Sequence, residues 1–309
     1  MMRRLLATTA TAVLAVASAS CAAKASGFAA DGRLDVVTAF YPLQFLSERV
    51  GADAVTVTQL TKPGAEPHDV ELNPRQVAEI SDAGLVVYLK GFQPAVDQAV
   101  EQQATDRALD VGATVQLLAA AEDDHEHVPG EREHPEGAND PHVWLDPVRF
   151  ATIADRLAER LGQADPARAA DYTERARTLH GELTALDTEY ATALRTCARR
   201  ELVTSHTAFR YLADRYRLTE VGITGISPES EPSPQRLAHV AEEARATGTT
   251  TIFFETLVSP KVADTIAREV GARTAVLDPL EGLTEPGTDY FSVMRSNLTA
   301  LTTALGCKS

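Results

Sequence analysis

Residues 34–50 read LDVVTAFYPLQFLSERV, a short apolar run followed by a helical pattern. The run at 34–38 is rich in β-branched residues and almost continuously apolar, as expected of a parallel strand that is buried on both faces. Pro42 suits the first turn of a helix, which we predict over residues 42–50. This strand–helix unit predicts an α/β fold.

The same alternation recurs on both sides of a long helical region. In the first half, further strands are predicted at 55–58, 85–89 and 114–118, with helices at 74–83 and 93–103. In the second half, strands are predicted at 202–204, 220–223, 250–254 and 274–277, with helices at 208–216, 234–247, 260–270 and 290–305. The sequence therefore predicts two βα lobes, each with a mainly parallel four-stranded sheet. Ligands of such sheets bind beyond the carboxyl ends of the strands, which places the site in the cleft between the lobes.

One long rigid helix is predicted to join the lobes. Asp165-Pro166 supplies a cap and a first-turn proline. The apolar stripe that follows reaches Leu194, so a helix of roughly 30 residues would be about 45 Å long. We divide the chain into an N-terminal lobe (33–164), a connecting helix (165–197) and a C-terminal lobe (198–309).

Residues 1–20 have the pattern of an export signal. Two arginines precede an apolar run at 5–16 that is too short to remain as a membrane span, and small residues precede Cys21. Cleavage before Cys21 would leave an N-terminal cysteine for lipid attachment. We predict a lipoprotein of the cell membrane, with a secreted or periplasmic protein as the alternative, and a flexible tether over residues 21–32.

The chain is acidic, with a formal net charge of -15, which argues against nucleic acid as a partner and suits a protein that handles cations. Residues 119–139 form an acidic segment without apolar periodicity, and we predict a loop there. Its histidines, His125, His127 and His134, fit either a weak zinc-collecting segment or a solvated loop.

Two cysteines remain after Cys21. Cys197 follows the long helical pattern and Cys307 lies near the end of the chain. In an oxidising compartment they would form a disulfide that closes a large loop, whereas the alternative is two free thiols.

Three histidines lie far apart in loop-like segments: EPHD at 66–69, DPHVW at 140–144 and TSHT at 204–207. A lone loop histidine is seldom a ligand, but His68, His142 and His206 all stand where a strand or turn leads into a helix. Three imidazoles and a carboxylate make a closed tetrahedral zinc site. With an ordinary imidazole pKa, such a site would lose zinc below about pH 6.

The fourth ligand is expected in the segment 277–283, which leaves the last predicted strand. Asp278 and Glu281 compete, and we favour Glu281 because its longer side chain reaches further into a cleft. Glu255 also ends a strand and could either orient a ligand histidine or lie in the contact between lobes. His180 and His239 fall within helical patterns and are predicted to be surface or groove residues and not ligands.

These motifs together resemble the metal-binding solute-binding proteins of bacterial ABC transporters, and in particular the zinc-uptake branch. The resemblance rests on residues 63–71, 139–147, 204–209, 225–234 and 253–260, and it extends over nearly the whole mature chain. It implies two α/β lobes, a rigid connecting helix and a metal between the lobes. By this resemblance, the metal ligands would be His68, His142, His206 and the acid of the 278–281 segment.

The resemblance also implies a role. We expect an extracytoplasmic receptor that captures Zn²⁺ and delivers it to a membrane permease, without catalysis and as a monomer. A manganese or iron receptor of the same fold is the first alternative, although such relatives typically carry Glu where this chain has His206. A zinc hydrolase is less favoured because the sequence has no His-Glu-x-x-His segment, and an adhesin because no residue pattern specifies its partner.

Overall fold

The computed structural model describes residues 27–120 and 139–308, apart from 284 and 286. The first half contains β1 (Leu34–Thr38), α1 (Tyr41–Gly51), β2 (Val55–Gln59), α2 (Pro74–Asp82), β3 (Leu85–Tyr88), α3 (Pro94–Gln103) and β4 (Ala108–Asp110). Two long helices follow, α4 (Pro147–Ala164) and α5 (Ala169–Ala193). The second half contains β5 (Glu201–Thr204), α6 (Arg210–Tyr216), β6 (Thr219–Gly222), α7 (Pro234–Ala246), β7 (Thr251–Phe254), α8 (Lys261–Val270), β8 (Arg273–Val276) and α9 (Tyr290–Leu305). Within these ranges, no helix combines the length and apolar character that a bilayer span requires.

Each half forms a four-stranded sheet, and the two sheets share one topology. The strand orders are β2-β1-β3-β4 and β6-β5-β7-β8, and every strand pair is parallel. In the first sheet, Val36 pairs with Val57 on one side and with Leu85 on the other. The predicted fold, two βα lobes with parallel four-stranded sheets, is confirmed.

The fourth strand of the first sheet lies earlier than predicted. It is β4 at Ala108–Asp110, whereas the predicted strand at 114–118 is wrong. The side chain of Asp110 accepts a hydrogen bond from Gly112 N (3.0 Å) and starts a 3-10 turn at Val111–Thr114 that ends the strand. The apolar residues beyond this turn pack against the core without strand pairing, which explains their composition.

The predicted tether 21–32 is wrong for its last residues. Gly27 and Phe28 form bridges to Ala83 and Leu34, and Phe28 packs against the core. A side chain at Gly27 would collide with the backbone of Gly84, so a glycine is needed for this close approach. Residues 1–26, and with them the predicted export signal, Cys21 and the rest of the tether, lie outside the described residues.

The long helix α5 is shorter than predicted. A 3-10 turn at Pro166–Arg168 precedes it, and its 25 residues give a length of about 38 Å. The side chain of Asp165 accepts hydrogen bonds from Tyr172 (2.9 Å) and Arg168 (2.7 Å) instead of capping the helix. The predicted stripe is buried from Tyr172 to Tyr190, and it packs α5 against α1 and α4 of the first half and α9 of the second.

The two halves share a buried aromatic core. Tyr290 of α9 lies against Phe45 and Phe150, with ring centroids 5.4 and 4.6 Å apart. Its hydroxyl donates to Trp144 O (2.7 Å), while Trp144 Nε1 donates to Pro279 O (2.7 Å). Because these groups are buried, the contact joins the segment before α4 firmly to the segment after β8.

The predicted disulfide between Cys197 and Cys307 is confirmed. It links the segment after α5 to the second residue after α9, across 110 positions of sequence. Backbone hydrogen bonds from Lys308 N to Thr196 O (2.9 Å) and from Ala198 N to Gly306 O hold the same two segments together. The C-terminus is thereby fixed at the end of the second sheet where β5 begins.

Candidate metal centre

Four side chains from distant parts of the sequence meet between the two sheets. His68 lies in the loop between β2 and α2, and His142 lies in the segment that leads into α4. His206 follows β5 and Glu281 follows β8. Since all the strands in a sheet are parallel, the segments after β2, β5 and β8 leave at carboxyl edges, where a cleft between two sheets can form.

The three imidazoles point at one carboxylate oxygen. The Nε2 atoms of His68, His142 and His206 lie 3.1, 3.0 and 3.4 Å from Oε1 of Glu281. One ligand atom from each residue can be chosen such that all four lie within 4.8 Å of one another. The side chains of His142, His206 and Glu281 are at most 1% exposed and that of His68 is 10% exposed, so the cluster is nearly closed to solvent.

The donor set and its spacing fit a tetrahedral zinc ion. Bonds of about 2.0–2.1 Å place the ligand atoms of such a site about 3.3 Å apart, close to the distances between Oε1 and the three ring nitrogens. In the described part of the chain, His206 Nε2 and Glu281 Oε2 are buried without a hydrogen-bond partner. A buried polar atom without a partner is costly, and a cation between these atoms would remove that cost.

Two further carboxylates orient the histidine rings. Asp140 Oδ1 lies 2.8 Å from His142 Nδ1, and Glu255 Oε1 lies 2.7 Å from His206 Nδ1. A ring that donates its Nδ1 hydrogen to a carboxylate presents the lone pair of Nε2 to a metal. Of the two roles left open for Glu255, the structure shows the contact with a histidine of the cluster.

His68 is held differently. Its backbone N–H donates to the carboxylate of Glu66 (2.9 Å to Oε1), and its ring packs edge-on against Phe92, with centroids 4.6 Å apart. Glu66 Oε1 also lies 3.9 Å from His68 Nε2. His68 is thus positioned by its own loop and by an aromatic contact.

The charges of the cluster shift its pKa values strongly. Burial lowers the pKa of His142, but Asp140 and Glu281 outweigh burial and raise it to about 9. Burial likewise lowers the pKa of His206, and Glu255 and Glu281 raise it well above the usual value. For Glu281, burial raises the pKa, but hydrogen bonds to the histidines outweigh burial and hold it well below the usual range. Without metal, the site therefore attracts protons to His142 and His206 and keeps Glu281 ionised.

The sequence matches a known family over most of its length. The family model described as zinc-uptake complex component A, periplasmic, matches residues 36–304. The chain belongs to this family. Solved structures of ZnuA and of the ZnuA-like domain of AdcA share the fold described above, with TM-scores of 0.75 and 0.74.

Two curated relatives of this zinc-uptake family member differ in how much of their own length the match covers. The zinc-binding protein AdcA of Streptococcus pyogenes serotype M3 is 37% identical over 289 residues, which cover 88% of this chain and 56% of AdcA. The high-affinity zinc uptake system protein ZnuA of Bacillus subtilis is 36% identical over 304 residues, which cover 96% of this chain and 95% of ZnuA. The chain thus spans about half the length of the AdcA relatives and nearly all of ZnuA.

Solved structures of related proteins are also similar to this chain. The Zn(II)-bound ZnuA-like domain of Streptococcus pneumoniae AdcA has a TM-score of 0.74 and 34% identity, and the match covers 89% of this chain and 99% of that domain. The laminin-binding protein Lmb of Streptococcus agalactiae, described as bifunctional with adhesin and metal transporting activity, has a TM-score of 0.77 and 32% identity. That match covers 88% of this chain and 99% of Lmb.

The remaining candidate residues lie outside the four-residue cluster. Asp278 turns to Thr256 Oγ1 (3.0 Å) and to Leu280 N (2.8 Å). His180 is exposed and lies 2.8 Å from Asp155, and His239 is also exposed, as predicted for both. His125, His127 and His134 of the acidic loop lie outside the described residues.

Sequence reasoning missed the roles of Asp140, Glu66 and Phe92. Asp140 stands two positions before His142, and its carboxylate accepts from both the backbone N–H (2.9 Å) and the ring. Glu66 stands two positions before His68 and accepts from its backbone N–H. An acid two residues before a histidine was the signal available in both motifs, whereas the contact of Phe92 depends on packing.

Proposed function

We propose that this chain is an extracytoplasmic receptor that binds Zn²⁺ through His68, His142, His206 and Glu281. The convergence of three imidazole nitrogens on one buried carboxylate oxygen, at 3.0–3.4 Å, carries this proposal. Three nitrogens and one oxygen in a closed cluster favour zinc over manganese by the stability order of divalent metals. The relatives named for zinc binding and zinc uptake support the same metal.

The receptor hands its ion to the permease of an ABC transporter and catalyses no reaction. A nearly closed set of four protein ligands leaves no open coordination position for a substrate, in contrast to catalytic zinc sites. We further propose that the protein acts as a monomer and is held at the membrane by a lipid on Cys21. The lobe at 33–164 and the lobe at 198–309 would enclose the ion, and the helical region 165–197 would limit their relative motion.

A competition titration against a chromophoric zinc chelator tests the proposal. Wild-type protein should bind one Zn²⁺ per chain, and His206→Ala should bind it at least about 100-fold more weakly, because a nitrogen that would bind the ion directly is lost. His239→Ala is the matched control, since that histidine lies on the surface. Unchanged affinity in His206→Ala would exclude this site as the zinc site.

Two alternatives are decided by separate measurements. A manganese or iron receptor would retain Mn²⁺ or Fe²⁺ in competition with Zn²⁺, which a mixed-metal titration detects. The similarity to Lmb raises adhesion as a second function. Saturable binding of the purified chain to immobilised laminin, unaffected by His206→Ala, would support adhesion as a separate activity.

A further inference from the structure

A buried carboxylate on β6 lies beneath the turn that carries His206. We propose that Glu220 is a positioning residue of the metal centre, which fixes the turn at 204–209 so that His206 Nε2 points at the other ligands. This inference rests on the proposed zinc-binding function and adds to it a residue that has no contact with the ion.

One oxygen of Glu220 holds both sides of the turn. Oε1 accepts hydrogen bonds from Ala208 N (3.1 Å) and Phe209 N (2.8 Å), after His206, and from Thr204 Oγ1 (3.1 Å), before it. The other oxygen, Oε2, is buried and has no partner in the described part of the chain. Burying a carboxylate costs free energy unless it is well hydrogen-bonded, so a strand position filled by Glu indicates a specific need for its acceptor oxygen.

The groups that Glu220 holds are also those that hold His206. The single hydrogen of Thr204 Oγ1 is shared between Glu220 and His206 O, which lies 2.8 Å from Oγ1, and the N–H of Ala208 is likewise shared with that carbonyl (3.1 Å). Glu255 sets the rotation of the imidazole through Nδ1. Glu220 therefore fixes the backbone of His206, while Glu255 fixes its ring.

A glycine on the same strand shows that the turn at 204–209 packs directly on β6. Gly222 is two residues after Glu220, and alternate residues of a strand share a face. A Cβ at Gly222 would lie 2.3 Å from Thr207 Oγ1 and 2.6 Å from Thr224 O. The turn thus packs so closely on β6 that small shifts of the strand would move His206.

The competing explanation is that Glu220 only satisfies the backbone N–H groups ahead of α6. That role predicts a less stable protein with ordinary zinc binding. A positioning role predicts that zinc affinity and coordination geometry change as well, because displacement by a fraction of an ångström matters for bonds of about 2.0 Å.

The experiment compares Glu220→Ala with Glu220→Gln and with Asp165→Ala. The glutamine keeps an acceptor oxygen. Asp165 is another buried carboxylate with two hydrogen bonds, and it belongs to the turn before α5, which carries no ligand. Each full-length variant is titrated with Zn²⁺ against a chromophoric chelator, and the Co²⁺-loaded form is examined by visible absorption, whose intensity reports tetrahedral geometry.

We expect Glu220→Ala to bind Zn²⁺ about tenfold more weakly and to show an altered Co²⁺ spectrum. Glu220→Gln should stay near wild type in both measurements, and Asp165→Ala should lose only stability. If Glu220→Ala does not fold, Thr204→Val is tested instead, because it removes the hydroxyl between Glu220 and His206 O. Reduced zinc affinity of Thr204→Val would support the proposal, and wild-type affinity would overturn it.

Wild-type zinc affinity and a wild-type Co²⁺ spectrum in Glu220→Ala would overturn the inference. An equal loss of affinity in Asp165→Ala would overturn it as well, since the loss would then follow from stability. These outcomes leave the proposed function intact as long as wild-type protein binds zinc. Failure of wild-type protein to bind Zn²⁺ would overturn both.

Discussion

The four residues of the cluster are not held equally firmly. His142 and His206 each donate a hydrogen bond from Nδ1–H to a buried carboxylate. His68 is fixed by its backbone and by Phe92 and is the most exposed of the three. Glu281 is central because all three Nε2 atoms lie within 3.4 Å of its Oε1. Removing its charge should therefore disturb the whole site.

We predict that Glu281→Gln weakens Zn²⁺ binding by more than about 100-fold, beyond the 10–100-fold typical of residues that only support ligands. The amide keeps the shape of the side chain but removes the negative charge that offsets the cation. Asp278→Asn is the control, because its carboxylate turns to Thr256 and Leu280 N and should leave affinity unchanged. If Asp278→Asn lost zinc affinity and Glu281→Gln kept it, Asp278 would be the ligand.

As the pH falls, the zinc affinity should begin to decrease at a higher pH than it would for histidines with the ordinary imidazole pKa. In the metal-free protein the pKa of His142 is raised to about 9, so below pH 9 this histidine carries a proton that zinc must displace. The apparent affinity should fall about tenfold per pH unit for this proton, and more steeply where His206 is also protonated. Titrations between pH 6 and 9 test this, and an affinity that stays flat from pH 9 to 7 would contradict it.

Among the secondary-structure elements, the sequence predicted best the strands that precede residues of the cluster. The β-branched residues of β2, β5 and β8 located the junctions after which His68, His206 and Glu281 stand, because valine and threonine are enriched in strands. It was misleading at 114–118, where an apolar loop packs on the core as a strand would. Glu220 could not be found, since its role depends on the register of β6 against β5, which pairs it with Leu202.

The indole of Trp144 connects two elements of the site. It lies in the 3-10 turn after His142 and donates to Pro279 O, two residues before Glu281. Trp144→Phe should cost about 1–3 kcal/mol of stability, because a buried carbonyl loses its donor, and it should also weaken zinc binding several-fold. Tyr190→Phe is the matched control: it removes a buried bond to Met294 O between α5 and α9, which carry no ligand.

Denaturant unfolding and chelator competition measure the two effects of Trp144→Phe. A loss of stability in both variants with a loss of affinity in Trp144→Phe alone would support the connection. Equal zinc affinities in the two variants would show that the bond to Pro279 contributes only to stability.

At the scale of the whole molecule, the disulfide constrains the chain without reaching the site. Cys197 precedes β5, so it lies at the edge of the second sheet opposite the carboxyl edge from which His206 emerges. Replacing both cysteines by serine should lower the free energy of unfolding by about 5 kcal/mol, the loop-closure value for a loop of this size. Zinc affinity of the folded variant should match wild type, and a large loss of affinity would show that the constraint extends across the lobe.

Zinc should stabilise both lobes together, because its proposed ligands come from both halves of the chain and the lobes share a core around Tyr290. A ligand that binds only the folded state adds about 4 kcal/mol when its free concentration is 1,000 times Kd. Calorimetric melting of the zinc-loaded protein should show a single transition at a higher temperature than the metal-free protein. In His206→Ala the shift should largely disappear, although the metal-free melting temperature need not fall. Two separate transitions, with only one moved by zinc, would mean that the ion is held by one lobe and that the cleft is not the binding site.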